Sequence, residues 1–255
     1  MIDNLKKAGI SEHYTHFLLT SSINQNSVLV DLGANEGKFY CLLNSKYNCT
    51  SHVVEASPTL YQTLPANPKT STYHYAVGKQ EGLVNFFLSD NPEANSLHAG
   101  IATITGKPNP ITVEGISFEN FLKKAGISSK IDVLKIDIEG AELDVLENIS
   151  ANSLKIISQI AVEFHDFLFK DADYLGRLKL SLKKLRDNNF LILKISNTDF
   201  REVLFVNRKL TGLNLIQRVR LTIFHPILQL LMTLHRRIGY IKNLIFSNHV
   251  SVENF

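Results

Sequence analysis

Five polar residues stand where apolar stretches of the sequence end, and their side chains are ones that hold ligands or move protons. They are Asp31, Glu55, Asp137, Glu163 and His165. The four carboxylates accept hydrogen bonds from amines and hydroxyls, and the imidazole titrates close to neutral pH. The carboxyl ends of parallel strands meet at one edge of an open α/β sheet, where ligands bind. We therefore expect these five side chains to surround a single site.

The residues around Asp31 indicate the kind of ligand. The three apolar residues 28–30 predict a buried strand with Asp31 at its tip, and Gly33 and Gly37 then form a turn that leads into a helical pattern. Such a turn presents backbone N–H groups to a nucleotide-like ligand. It departs from the dinucleotide pattern G-x-G-x-x-G because Asn35 replaces the second glycine, and the Asp31 carboxylate would repel a pyrophosphate. This pattern favours S-adenosylmethionine, whose amine and hydroxyls can donate hydrogen bonds to a carboxylate.

A second acid supports that interpretation. Glu55 ends the next apolar stretch, about 20 positions after the glycine turn, and Ser57 and Pro58 then begin a helix. An acid at this position is placed to bind the two hydroxyls of an adenosine ribose. The alternative is a solvated loop glutamate.

The candidate catalytic residues are Asp137, Glu163 and His165. If S-adenosylmethionine is the ligand and a hydroxyl accepts its methyl group, as the family resemblance given below implies, the reaction needs an aligned hydroxyl and a group that takes its proton, and His165 is a candidate base. It could instead bond Glu163 for structural reasons, or the three residues could bind a divalent cation that lowers the pKa of the acceptor hydroxyl. Lys135, within a buried strand, is expected to pair with a neighbouring acid.

Strand and helix patterns alternate along the chain, which predicts a parallel sheet with right-handed crossovers. The stretches 190–195 and 201–206 predict a final antiparallel pair, typical of the methyltransferase variant of this sheet. The expected fold is a Rossmann-like, class I methyltransferase α/β fold: a mostly parallel seven-stranded sheet with helices on both faces and a C-terminal helical extension. The expected divisions are a helical lead-in over 1–26, a cofactor-binding domain over 27–207 and a basic amphipathic tail over 208–255.

Two segments lie outside this alternation. The stretch 82–88 has β-rich composition after a turn and predicts an accessory hairpin. The segment 89–110 is rich in proline and glycine and resembles a functional loop, from which Asn95 and His98 could contact the acceptor.

Composition limits the class of protein. The chain has 255 residues, 44% hydrophobic and 20% charged, as in ordinary globular proteins. Two cysteines provide neither a disulfide framework nor a zinc site, and no secretory signal pattern is present, so we expect a cytoplasmic protein. Net charge is +3 and the basic excess lies after residue 207, so no uniformly basic surface invites nucleic acid.

The tail repeats apolar residues at spacings of three and four, which predicts an amphipathic helix with basic neighbours. Charged and polar residues interrupt its apolar run, so it does not resemble a membrane-spanning helix. Three alternatives remain: packing on the domain or on the second copy of a homodimer, peripheral membrane contact through 211–246, or a loose extension.

Six motifs together carry a family resemblance. They are D-L-G-A-N-E-G at 31–37, V-E-A-S-P at 54–58, A-V-G at 76–78, N-S-L at 95–97, L-K-I-D-I-E-G-A-E at 134–142 and E-F-H at 163–165. Over roughly residues 26–207 the sequence resembles the FkbM-type S-adenosylmethionine-dependent methyltransferases. The resemblance implies an O-methyltransferase that acts on a hydroxyl of a sugar, glycan or natural product.

The resemblance also implies roles for individual residues. The turn 33–37 would hold the methionine part of the cofactor and Glu55 its ribose. Ala76 and Val77 would lie near the adenine, and Asp137 would face the methyl-transfer centre.

Two other functions remain open. An NAD-dependent oxidoreductase of similar architecture is disfavoured by Asp31 and Asn35 in the turn and by the absence of a Tyr-x-x-x-Lys pair, since Leu178 follows Tyr174 at that spacing. A non-catalytic methyltransferase-like scaffold is disfavoured by the retained acids.

Overall fold

A seven-stranded sheet forms the centre of the protein, seen in a computed structural model that describes residues 2–103, 107–165, 172–195 and 201–227. The strands are β1 (Ile10–His13), β2 (His16–Leu19), β3 (Val28–Leu32), β4 (Thr50–Glu55), β5 (Thr70–His74), β6 (Ala76–Val77), β7 (Gly82–Leu88), β8 (Asn109–Ile116), β9 (Val133–Ile136), β10 (Gln159–Glu163), β11 (Phe190–Lys194) and β12 (Glu202–Asn207). The α-helices are α1 (Ile2–Lys7), α2 (Lys38–Tyr47), α3 (Pro58–Thr63), α4 (Ala99–Ala102), α5 (Phe118–Lys124), α6 (Glu142–Asn148), α7 (Ala151–Leu154), α8 (Ala172–Asp187) and α9 (Leu215–Val219).

The order of strands in the central sheet is β11-β12-β10-β9-β3-β4-β5. All neighbours run parallel except β12, which is antiparallel to both β10 and β11. Alternate residues of a strand serve opposite faces: Leu29 joins the core packed under α1 and α2, whereas Val30 joins the core under α5, α6 and α8. The predicted Rossmann-like class I fold, with helices on both faces and a terminal antiparallel pair, is confirmed.

The register of the sheet brings the chemical residues to one edge. Asp31 lies opposite Lys135 in the β3–β9 pair, and Glu163 lies opposite Glu202 in the β10–β12 pair. Since β3, β9 and β10 run in the same direction, the turns that follow them open on the same edge.

A smaller sheet of order β6-β8-β7 covers this edge from one side. The predicted strand 82–88 is present as β7 and pairs antiparallel with β8, the next strand along the chain, so the expected accessory pairing is present. The adjacent strands β5 and β6 belong to different sheets, β5 to the large one and β6 to the small one.

The lead-in differs from the expected helical segment. Among the described residues of the lead-in, α1 is α-helical and Thr20–Ser22 form a 3-10 turn, but residues 10–19 form an antiparallel hairpin that turns at Tyr14, whose φ is 57°. Phe17, Leu18 and Leu19 are all buried, because β2 packs on both of its faces. Gln159 of β10 accepts a hydrogen bond from Leu19 N at 2.8 Å and donates one to Leu19 O at 3.2 Å, so the hairpin is docked on the central sheet.

The start of the tail packs on the same domain. Leu213 and Leu221 are buried in the core that holds α1, and Gln217 Nε2 donates to Ala8 O at 3.0 Å. Beyond α9 a π-helical turn spans Arg220–Phe224, and residues 228–255, which include most of the predicted amphipathic helix, lie outside the described residues. Within the described ranges, no helix combines the length and apolar character needed to cross a lipid bilayer.

Candidate active site

A cavity of about 580 Å³ opens at the carboxyl edge of the central sheet. Six of the residues proposed to bind cofactor line it: Gly33, Asn35, Glu55, Ala76, Val77 and Asp137. Tyr75 and Phe86 add aromatic surface to the walls, and the small sheet supplies part of the enclosure. Its mix of apolar walls and a few polar groups is that of a small-molecule site.

Gly33 permits the two strand ends that form the cavity to approach each other. Its φ is +81°, and a Cβ at this position would lie 1.8 Å from the carbonyl oxygen of Asp137. Gly37, at φ +80°, does not line the cavity; it precedes α2 and packs against Tyr40 and Pro65. Gly37 therefore shapes the turn, and its expected direct contact with cofactor is replaced by a structural role.

The Glu55 carboxylate fixes the glycine turn to the second strand. Its Oε2 accepts from the backbone N–H of Asn35 at 2.8 Å, and its Oε1 accepts from that of Ser57 at 2.7 Å. Burial raises the pKa of Glu55 and these N–H groups act against the rise. Asn35 adopts φ 52°, a left-handed conformation that asparagine tolerates better than most residues. Each carboxylate oxygen keeps a second lone pair that a ribose hydroxyl can use.

The Asp31 side chain lies beneath the cavity rather than in its wall. It is fully buried, and its Oδ1 is 3.2 Å from the ammonium of Lys135. Lys135 also lies 3.4 Å from Asp137 Oδ2 and donates to Gly33 O at 2.5 Å, so the expected pairing of this lysine is present. The expectation that Asp31 contacts cofactor directly is not met, because its carboxylate is used to neutralise a lysine inside the sheet.

His165 joins two glutamates. Its Nδ1 is 2.9 Å from Glu142 Oε1 and its Nε2 is 2.9 Å from Glu139 Oε2. Burial lowers the pKa of His165, but the two carboxylates outweigh burial and raise it to about 11. Glu142 also accepts from Gly140 N at 2.8 Å, so an imidazolium holds together the turn that follows β9. The structural alternative considered from sequence paired His165 with Glu163, whereas the contacts seen here are with Glu139 and Glu142.

Glu163 belongs to a second group of charges, which shares Asp137 with the first. Burial raises the pKa of Glu163 to about 7, and repulsion from Asp137 and Glu202 adds to the rise. His16, from the β1–β2 hairpin, lies between these acids, with Nε2 3.5 Å from Asp137 Oδ2 and Nδ1 3.7 Å from Glu202 Oε2. His16 and Glu202 were missed from sequence because neither belongs to a motif, and only the pairing of distant segments brings them here.

Comparison with known proteins identifies the family. The model of the FkbM methyltransferase domain matches residues 31–202. The chain belongs to the FkbM methyltransferase family. It is 28% identical over 185 residues to the hexuronic acid methyltransferase AglP of Haloferax volcanii, covering 69% of this chain and 73% of that protein. It is 24% identical over 163 residues to methyltransferase 1 of Beauveria bassiana, covering 55% of this chain and 66% of that one.

Solved structures are more distant. The fibrillarin pre-rRNA processing protein of Methanococcus jannaschii aligns over 80% of this chain and 71% of its own, with a TM-score of 0.43 and 14% identity. TrmK of M. capricolum, solved with S-adenosyl-homocysteine, aligns over 74% of this chain and 66% of its own, with a TM-score of 0.39 and 13% identity.

This FkbM enzyme is an S-adenosylmethionine-dependent methyltransferase, and the oxidoreductase and scaffold alternatives are therefore wrong. The residues that line the cavity have side chains compatible with that cofactor. Glu55 offers free lone pairs to a ribose, Tyr75 and Val77 offer apolar surface to an adenine, and Asp137 offers negative charge to a cation.

The loop after β7 closes part of the FkbM cavity. Asn95 and Leu97 line the cavity, and Ser96 Oγ donates to Glu139 O at 2.5 Å, so the loop is bonded to the turn after β9. Asn95 itself accepts from Ser89 N at 2.8 Å. His98 is not among the cavity-lining residues, which leaves Asn95 as the better placed of the two predicted acceptor contacts.

The expected cation ligands do not form one group. Within the described residues, Asp137 can share an ion with His16 and Glu163, or with Glu139 and His165. In the second group both nitrogens of His165 already face carboxylates, and Lys135 already lies against Asp137 Oδ2. The predicted set of Asp137, Glu163 and His165 is therefore split between two clusters.

Proposed function

We propose that this enzyme transfers the methyl group of S-adenosylmethionine to a hydroxyl of a sugar or glycan, with Glu163 as the proton acceptor. The observation that carries the proposal is the position of Asp137. It lines the cofactor cavity, and its carboxylate also lies in the cluster that contains Glu163. A hydroxyl bound between these two carboxylates would stand at the mouth of the cofactor cavity.

The roles of the residues follow from their charges. Bound S-adenosylmethionine supplies an electrophilic methyl carbon and a thioether leaving group. Asp137, whose pKa is held low by Lys135 and His16 against the effect of burial, stays ionised and orients the hydroxyl as a hydrogen-bond acceptor. Glu163, with a pKa of about 7, takes the hydroxyl proton as the new C–O bond forms and the C–S bond breaks.

His165 has a positioning role in this proposal instead of the role of base considered from sequence. Its pKa of about 11 leaves it protonated at neutral pH, and both ring nitrogens donate to glutamates. It orders the turn whose residues Ile138 and Glu139 line the cavity.

The acceptor class draws on the relative named a hexuronic acid methyltransferase. A hexuronic acid offers both hydroxyl and carboxylate oxygens, so the position of the methyl group has to be tested. Our proposal assigns it to a hydroxyl because Asp137, Glu139 and Glu163 make the acceptor side rich in carboxylates, which accept a hydroxyl proton and repel a second carboxylate.

The experiment is transfer of radiolabelled methyl from S-adenosylmethionine to a panel of free and glycosidic hexoses and hexuronic acids. We expect labelled sugar that survives mild alkali, since methyl ethers are stable and methyl esters hydrolyse. The variant E163Q should lose transfer but bind S-adenosylhomocysteine normally, and E114Q, which changes an exposed glutamate, is the control. Alkali-labile label, or full activity in E163Q, would contradict the proposal, and loss of transfer in a chelator would favour the cation alternative.

A further inference from the structure

We propose that His16 is a positioning residue of the methyl-transfer site: its buried imidazolium offsets the negative charge of Asp137 and Glu202 and so keeps Glu163 ready to accept a proton. The inference rests on the function proposed above and extends it to a segment that precedes the family match. That match begins at residue 31, and His16 lies in the N-terminal hairpin.

The first support is the geometry of the imidazole. His16 is 1% exposed, so it cannot contact a substrate that enters from solvent. Each of its ring nitrogens nevertheless faces a carboxylate: Nε2 lies 3.5 Å from Asp137 Oδ2, and Nδ1 lies 3.7 Å from Glu202 Oε2. Both distances exceed those of hydrogen bonds, so neither nitrogen has a hydrogen-bond partner among the described residues. The Phe39 ring packs edge-on against the imidazole, with centroids 5.2 Å apart and planes at 87°.

The second support is the way the hairpin is held. Leu19, three residues after His16, is bonded through both its N–H and its C=O to the Gln159 side chain. Gln159 begins β10, the strand that ends at Glu163. The hairpin and the strand that carries the proposed base therefore form one unit, and His16 is fixed in place relative to Glu163.

The third support is the set of charges around each group. Asp137 on the β9 side and Glu202 on β12 raise the pKa of Glu163 in addition to burial, and His165 and His16 lower it. Around His16, burial and Lys135 lower the pKa, but Asp137 and Glu202 outweigh them and raise it to about 9. His16 is thus cationic across the pH range in which Glu163 titrates.

The hairpin also contains a matched control. His13 lies opposite His16 in the hairpin register and is 5% exposed. Burial, followed by the neighbouring Lys46, lowers the pKa of His13, so it is neutral at neutral pH. Replacing either histidine by glutamine makes the same chemical change in the same hairpin, and only H16Q removes a positive charge beside Asp137.

The test is an NMR titration that needs no acceptor, so its outcome is separate from that of the transfer assay. The protein is labelled with ¹³C-glutamate, and the Glu163 signal is assigned through its loss in E163Q. We expect the acid-dissociation constant of Glu163 to fall about tenfold in H16Q, so that the midpoint of its titration moves up by about one pH unit. H13Q should leave it unchanged, and H16K, which restores a positive charge, should return it towards the wild-type value. The proposal would be overturned if Glu163 titrates with the same midpoint in the wild type and in H16Q, or if H13Q moves that midpoint as far as H16Q does.

A second measurement uses only the wild-type protein and so holds even if H16Q fails to fold. Imidazole NMR signals at pH 7.5 should include one buried histidine, besides His165, in the protonated state. If the His16 signal titrates at or below the ordinary histidine value of about 6.5, the imidazolium that the proposal requires is absent and the proposal fails.

Discussion

Gly33 is the position at which one added methyl group would push apart the two strand ends that form the cofactor cavity. A Cβ there would lie 1.8 Å from the carbonyl oxygen of Asp137 and 2.9 Å from its carbonyl carbon. To reach ordinary van der Waals contact, the two backbone segments would have to separate by about 1.5 Å. G33A should therefore disturb the fold and the cavity together.

The expected loss of stability in G33A follows from the hydrogen bonds that join the strand ends around Gly33. Gly33 N donates to Val54 O at 3.0 Å, Asp137 N donates to Leu32 O at 3.2 Å, and Lys135 Nζ donates to Gly33 O at 2.5 Å. Losing two of these costs about 2 kcal/mol, and the left-handed φ of an alanine adds about 1–2 kcal/mol. We expect G33A to lower the free energy of unfolding by about 3–4 kcal/mol and the melting temperature by about 10 °C.

Gly82 provides the control, because its φ is +79° and nothing lies within 4 Å of the position of its Cβ. G82A has the same conformational cost without the clash, about 1–2 kcal/mol. Urea unfolding measures both variants, and calorimetry with S-adenosylhomocysteine should give at least about tenfold weaker binding for G33A only, a difference of about 1.4 kcal/mol. If both variants lose equal stability, or G33A binds as wild type does, the close approach of the strand ends is not what requires glycine.

Three further predictions concern the groups that support this site. Q159L removes the side chain that pairs both backbone groups of Leu19, and should lower the free energy of unfolding by about 2–3 kcal/mol in urea denaturation. K135M leaves the Asp31 carboxylate buried without its partner and should cost about 3–5 kcal/mol, most of which the double variant D31N/K135M should recover in a thermodynamic cycle. Wild-type kcat/KM should rise with pH through a midpoint near 7, because only ionised Glu163 accepts a proton, and E163Q should lack this rise and be about 100-fold less active.

The architecture could be predicted because its determinants are local. Mostly apolar stretches such as 28–32 and 133–136, each interrupted by a single charged residue, are typical of strands buried on both faces, and the helical patterns between them require crossovers. The lead-in was misassigned because three consecutive apolar residues at 17–19 suit a fully buried helical segment as well as a strand covered on both sides. Such a short run has no periodicity that distinguishes the two.

The sequence predicts where the site lies in the fold, but not which charged side chains pair with each other there. Strand ends identified the edge where Glu55, Asp137 and Glu163 would gather, and the structure brings all three there. The partners of each charge depend on register and on side-chain reach. Asp31 stands opposite Lys135 only because β3 and β9 are adjacent, and His165 finds Glu142 only after the turn at 137–141 folds back.

The pairing of these charges also bears on how methyl transfer can be fast beside a carboxylate. Transfer removes the positive charge of a sulfonium, so an uncompensated carboxylate would stabilise the reactant more than the transition state and slow the reaction. Asp137 is not uncompensated: Lys135 lies 3.4 Å and His16 lies 3.5 Å from its Oδ2. These cations reduce the field that Asp137 exerts on the sulfonium while leaving it able to accept a hydrogen bond from the acceptor hydroxyl. The same arrangement leaves proton uptake to Glu163, whose pKa of about 7 lies in the working pH range.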